Sequence, residues 1–170
     1  MKQITASDLI RLFESWKVLF SEQREFLIAL DGKVGDSDLG ITMNKAFTAA
    51  AEAVVAEGPD AGISKLLRTA GATMARTAPS TMGTLTATGF LRASKATEGK
   101  MVLTTADVAA FWRAYRDGVA ERGKANLGDK TLLDVLDPIA KAIEAQAVSR
   151  TGLAEALAAT AVVAREALEA

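Results

Sequence analysis

Apolar residues recur along this chain at intervals of three and four, the spacing that turns one face of a helix inward. The first run is Leu9, Ile10, Leu12, Phe13, Trp16, Leu19 and Phe20, with Ser7 as its expected N-cap. A shorter run, Phe26, Leu27 and Leu30, stops at the stretch Gly32 to Gly40, which is too rich in glycine and aspartate for a helix interior. A third helix is expected from near Gly40 through Met43, Ala46 and Phe47 to about Ala56, ended by Gly58-Pro59-Asp60. A fourth spans about Ala61 to Thr77 and breaks at Ala78-Pro79-Ser80; a fifth runs from Ser80 to Thr97. Thr105 is the expected cap of a helix carrying Val108, Phe111, Trp112, Tyr115 and Val119. After a loop from Arg122 to Lys130, Thr131 opens a helix with Leu132, Leu133, Val135, Leu136 and Ile139, kinked at Pro138. The last helix covers about Leu153 to Ala167. The stripe Phe111, Trp112 and Tyr115 reads as core.

Alanine and leucine dominate and β-branched runs are short, so the expected fold is all-α: an antiparallel bundle of about eight helices. The length fits one domain over residues 1–170. There is no fixed-period repeat and no low-complexity linker. Three loops are unusual in their glycine, aspartate, lysine and threonine content, and they follow the second, fourth and sixth helices. In an up-and-down bundle alternate connections fall at the same end. The three loops are therefore expected to share one rim.

Charge and composition narrow the chemistry. The chain has 20 basic and 21 acidic residues, a net charge of -1, which makes no electrostatic case for nucleic acid or an anionic membrane. It contains no cysteine and no histidine. Disulfides, thiolate metal sites, catalytic triads and imidazole acid/base chemistry are thereby excluded. A metal must sit on oxygen ligands, which favours Mg²⁺, Mn²⁺ or Ca²⁺. The start, Met1 to Thr5, lacks the apolar run of a signal peptide, and the alanine-rich tail is punctuated by Glu155, Arg165, Glu166 and Glu169. The expectation is a soluble, cytoplasmic protein.

Asp31, Asp36 and Asp38 fall close together, separated by Gly32 and Gly35 and followed by Gly40. Carboxylates this near repel one another unless a cation neutralises them, and glycines allow the tight backbone that gathers them. Gly40 opens a helix whose first amides attract phosphate oxygens. Metal-nucleotide binding is one reading; a solvated acidic turn with Asp38 as N-cap is the other. An EF-hand does not fit: counted from Asp36, Ile41 stands where that loop needs glycine and Phe47 where it needs glutamate. Ser80, Thr81, Met82, Gly83 and Thr84 place small hydroxyl residues at a helix start, suited to phosphates or to ordinary capping. Gly118-x4-Gly123-Lys124 mimics a P-loop, but Ala125 follows where Ser or Thr is needed, and a helix rather than a strand precedes it. Arg122, Lys124 and Lys130 read as a solvated basic loop.

In this order, the three segments resemble the ADP-binding L subunit of dihydroxyacetone kinases and the matching C-terminal domain of single-chain, ATP-dependent kinases. Leu30-Asp31-Gly32-Lys33-Val34-Gly35-Asp36-Ser37-Asp38-Leu39-Gly40-Ile41-Thr42-Met43 is similar to the family's L-D-x3-G-D-G-D-H-G-x-N-M. Pro79-Ser80-Thr81-Met82-Gly83-Thr84-Leu85, leading to Phe90, is an altered form of its G-G-A-S-G-P-L-x-G-T-x-F. Arg122-Gly123-Lys124-Ala125-Asn126-Leu127-Gly128-Asp129-Lys130-Thr131-Leu132-Leu133-Asp134 nearly completes its R-G-x-A-x2-G-D-K-T-M-L-D. The resemblance implies an eight-helix antiparallel barrel with the nucleotide in loops at one rim. It implies two Mg²⁺ ions on Asp31, Asp36 and Asp38, and ADP or ATP phosphates over Leu39, Gly40, Ile41 and Thr42 and over Ser80, Thr81, Met82 and Gly83. Gly123 and Leu132 would line the adenine end.

Leu39 replaces the family's histidine, and Pro-Ser-Thr-Met replaces its glycine-rich second loop. The family's lid segment after the last helix has no counterpart before Ala170, so a domain without that lid is expected. The implied function is phosphoryl transfer to a ketose held covalently, through a histidine, by a separate K subunit. In one form of the family a phosphohistidine-bearing M subunit recharges bound ADP; in the other, ATP exchanges freely. A homodimer is compatible with the resemblance. Three other readings stand beside it: a nucleotide-sensing regulatory module, the nucleotide domain of a fatty-acid-kinase-like enzyme, and a structural bundle with a dead site.

Overall fold

A computed structural model describes residues 2–170. Eight α-helices follow one another: α1 (Ala6–Glu22), α2 (Arg24–Asp31), α3 (Leu39–Glu57), α4 (Ile63–Thr77), α5 (Thr81–Ala96), α6 (Thr105–Gly123), α7 (Leu133–Val148) and α8 (Leu153–Glu169). A 3₁₀ turn, Pro59–Ala61, lies between α3 and α4. The expected all-α bundle is what forms. Among the described residues the β content is one isolated antiparallel bridge between Ile4 and Leu103. No described helix is long and apolar enough to cross a membrane.

The helix starts correct two expected caps. Thr5, not Ser7, caps α1: its hydroxyl accepts the Asp8 amide at 3.2 Å while Asp8 accepts the Thr5 amide at 2.9 Å. Thr104, not Thr105, caps α6 in the same way with Asp107. The reason is reciprocity. A capping box needs a side-chain acceptor three residues on; Ser7 and Thr105 would find Ile10 and Val108 there. Gly62, at φ +78, separates the 3₁₀ turn from α4, so that helix begins later than Ala61.

The helices α3, α4, α5, α6, α7 and α8 each pack on the next, and α1 packs along α3. Short connections make these successive neighbours antiparallel. α2 and α1 touch little, and α2 crosses the start of α3. There Gly40 lies so close to the Arg24 carbonyl and Ile28 that a Cβ would collide with both. α8 packs on α7 and on no other described helix to a comparable extent. The fully buried centre includes Phe13, Val54, Ile63, Leu66, Leu67, Met74, Ile143 and Leu153. At one end the Ile4–Leu103 bridge (2.9 and 2.8 Å) and the Thr105 hydroxyl, which donates to the Thr151 carbonyl at 3.0 Å, tie the connections together.

Candidate functional site

The loops after α2, α4 and α6 meet at the other end. Leu39 at the start of α3, Met82 in the first turn of α5 and Leu132 just before α7 line one cavity of about 380 Å³. This is the convergence expected from loop parity. Deeper in, the walls are aromatic: Trp16 and Phe20 from α1, Phe47 from α3, Phe90 from α5, and Phe111, Trp112 and Tyr115 from α6. Phe20 stacks on Phe47 with centroids 4.2 Å apart, and Phe90 meets Tyr115 edge-on at 5.3 Å. The stripe read as core is core at Tyr115, with the half-buried Phe111 and Trp112 packed against it, and all three also line the cavity. Helical spacing tells which face turns inward, not whether the space it faces is filled. Burial pushes the Tyr115 phenol well above its usual pKa, opposed by a hydrogen bond with Thr86.

On the rim, Asp31 ends α2, while Asp36 and Asp38 lie in the loop that leads to α3. One oxygen from each carboxylate lies within 4.8 Å of the others. Asp31 is half-buried; Asp36 and Asp38 are exposed. The loop folds around the first of them. Asp31 Oδ2 accepts the Asp38 amide at 2.9 Å and the Leu39 amide at 3.3 Å. Gly35 packs on the same carboxylate, leaving no room for a Cβ. Asp38 occupies the N-cap position of α3, but its side chain accepts no hydrogen bond there. Capping therefore does not account for its carboxylate. The donors are all carboxylate oxygens, the set that hard divalent cations such as Mg²⁺ take, so these residues fit one.

The adjoining helix starts offer amides. In α3 the Thr42 amide bonds to the Asp38 carbonyl at 2.9 Å, whereas those of Gly40 and Ile41 have no partner among the described residues. In α5 Ser80 caps through the Gly83 amide at 3.1 Å, and the amides of Thr81 and Met82 are without partner among the described residues. Gly83 lies against the Ala78 carbonyl, where a Cβ does not fit. Gly123, at the end of α6, stands beside Leu85 rather than in the cavity wall, so the structure does not place it with Leu132 there. Arg122, Lys124 and Lys130 are exposed and form no ion pair among the described residues, as a solvated basic loop should.

Residues 33–170 match the model of the DAK2 domain family. The chain belongs to the DAK2 domain family. It is 33% identical over 151 residues to the PEP-dependent dihydroxyacetone kinase, ADP-binding subunit DhaL, of Escherichia coli strain K12; this covers 89% of the chain and 71% of that relative. It is 31% identical over 122 residues to the corresponding subunit of dihydroxyacetone kinase 1 of Listeria innocua, covering 72% of the chain and 61% of the relative. A PTS-dependent dihydroxyacetone kinase DhaL of Lactococcus lactis is 23% identical over 158 residues, 93% of the chain and 79% of the relative. Asp31 lies two residues before the family match begins, and Asp36 and Asp38 lie inside it.

Proposed function

We propose that this DAK2 domain is the nucleotide-binding subunit of a dihydroxyacetone-type kinase, one domain over residues 1–170 that acts in the cytoplasm. Asp31, Asp36 and Asp38 hold ADP or ATP through two Mg²⁺ ions. The segments Leu39 to Thr42 and Ser80 to Gly83 receive the phosphates, through the amides of Gly40, Ile41, Thr81 and Met82; the resemblance assigns Gly123 and Leu132 to the adenine end, and of these two Leu132 lines the cavity. The observation that carries this reading is the gathering of three carboxylates beside unpartnered amides at the start of α3. The relatives' printed role as ADP-binding subunits supports it.

Bound Mg²⁺ supplies charge neutralisation for the phosphates. The chain's own contribution is to hold and orient. Asp31 fixes the loop and so fixes where Asp36 and Asp38 point. The helix-start amides of α3 and α5 present partial positive charge where phosphate oxygens would lie. With no histidine in the chain, covalent capture of a ketose through an imidazole falls to a separate K-type subunit. A phosphohistidine-bearing M-type subunit is the donor, in keeping with relatives named PEP- and PTS-dependent.

The test is calorimetric titration with ADP in the presence of Mg²⁺, followed by phosphoryl transfer assays with dihydroxyacetone and a K-type subunit. Saturable, Mg²⁺-dependent binding and transfer are expected. A chain that gives no heat and no thermal stabilisation with ADP and Mg²⁺ would overturn the reading.

A further inference from the structure

The segment between α6 and α7 is irregular backbone held in an uncommon shape. Within seven residues Lys124, Gly128 and Lys130 all adopt positive φ, at +53, +92 and +56. Two of these are lysines, which gain nothing from that region, so other contacts must maintain it. The main tie is Asp134, in the first turn of α7. Its Oδ1 accepts the Gly128 amide at 2.6 Å and its Oδ2 accepts the Thr131 amide at 2.8 Å. Asp129 adds a smaller loop by accepting the Asn126 amide at 2.8 Å. The amides of Gly128 and Thr131 hold the Asp134 carboxyl below the usual carboxylate range.

The start of α7 thereby differs from those of α3 and α5. The Leu133 amide donates to the Thr131 hydroxyl at 3.2 Å, and the Asp134 amide to the Thr131 carbonyl at 3.1 Å. The Val135 amide donates to the Leu132 carbonyl at 3.2 Å, so the first amides of α7 are all answered from within the chain, unlike those of Gly40 and Ile41 in α3. Of the three helix starts at the rim, α3 and α5 remain open to anions and α7 is closed to them. What the tied loop does present is Leu132, an apolar side chain in the cavity wall with Leu39 and Met82.

We propose that Asp134 is a positioning residue: by tying the amides of Gly128 and Thr131 it fixes Leu132 at the cavity mouth for the nucleoside part of the ligand, while taking no part in holding phosphate or metal. This rests on the nucleotide reading above. It goes further by making the geometry of the nucleoside side depend on one carboxylate outside the metal cluster.

Asp134→Asn keeps the shape of the side chain but turns an NH₂ group toward one of the two amides. Calorimetry on wild type and variant, with Mg²⁺-ADP and Mg²⁺-pyrophosphate as probes, separates the two sides. The variant should bind ADP about tenfold more weakly, because the loop must be ordered at the moment of binding, and pyrophosphate within about twofold of wild type. Equal weakening of both probes, or of neither, overturns the proposal. If wild type binds pyrophosphate but not ADP, this proposal fails while the metal-phosphate part of the functional reading stands; if it binds neither, both fail. Amide hydrogen exchange on wild type gives a check independent of the variant's folding. The Gly128 and Thr131 amides should be protected although they lie in an exposed loop, and exchange at the rate of free peptide would overturn the tie.

Discussion

The Asp31 carboxylate accepts the backbone amide of Asp38, so the first acidic residue of the rim cluster closes the loop that carries the other two. Asp31 thus has a structural contact that Asp36 and Asp38 lack. The three aspartates should respond differently to substitution, although all three offer an oxygen to the same point.

Asp36→Asn and Asp38→Asn remove a charge from a crowded, exposed cluster without removing a cap or a hydrogen bond. Apo stability should stay level or rise as repulsion falls. Stabilisation by ADP with Mg²⁺ should be largely lost; at a ligand concentration of 100 Kd that is about 2.7 kcal/mol. Asp31→Ala should lower apo stability as well, since the Asp38 and Leu39 amides lose their acceptor. Thermal melts of each variant with and without ADP and Mg²⁺ decide this. Full ligand stabilisation in the Asp36 and Asp38 variants would remove the metal assignment.

Much of this cluster was legible because it is local. Three carboxylates within eight residues must meet wherever the backbone turns, and Gly32 and Gly35 announce the turn. The rim was legible from loop order alone, since neighbouring helices with short connections must alternate in direction. The caps were half legible: Ser80 stood among the hydroxyl residues suited to capping, whereas Thr5 and Thr104 each lie beside another hydroxyl residue, and only the acid three residues on, Asp8 or Asp107, decides between them. The cavity was not legible. Phe111, Trp112 and Tyr115 have the spacing of a buried face whether the volume opposite is filled or empty; only the packing of α1, α3 and α5 around them shows which.

Asp137 is buried between α6 and α7, bonded to Lys141 at 2.7 Å and to Arg116 at 2.7 Å. Lys141 first, then Arg116, holds its carboxyl below the usual range, against the opposing effect of burial. A depressed folded-state pKa contributes stability that is present above the unfolded value, about 3.9, and lost as pH falls through the folded value. Asp137→Asn should therefore cost about 2 kcal/mol near pH 7, the worth of charge-assisted hydrogen bonds, with the gap to wild type closing below about pH 4. Urea unfolding of both proteins across that range checks the sign. A gap that widens on acidification would show that the pair is not what holds α6 to α7.

Two glycines test whether the aromatic wall borders free space. At Gly40 an added Cβ meets the Arg24 carbonyl, a backbone atom of α2 that cannot move without moving the helix. At Gly89 it meets the ring of Tyr115, with three ring atoms at 2.5 to 2.6 Å. That ring lines the cavity, so it has somewhere to go. Replacing a helix-interior glycine by alanine gains up to about 1 kcal/mol of helix propensity, which offsets part of the cost in either case. Overpacking against immobile atoms costs about 1–3 kcal/mol or more. Gly40→Ala should therefore be clearly destabilising, by about 2 kcal/mol, and should also weaken Mg²⁺-ADP binding because α2 carries Asp31. Gly89→Ala should fall within about 1 kcal/mol of wild type as Tyr115 shifts into the cavity. Denaturant midpoints compare the two directly. If Gly89→Ala is as damaging as Gly40→Ala, Tyr115 is held as rigidly as a residue in a filled core, and the space beside it is not available to the ring.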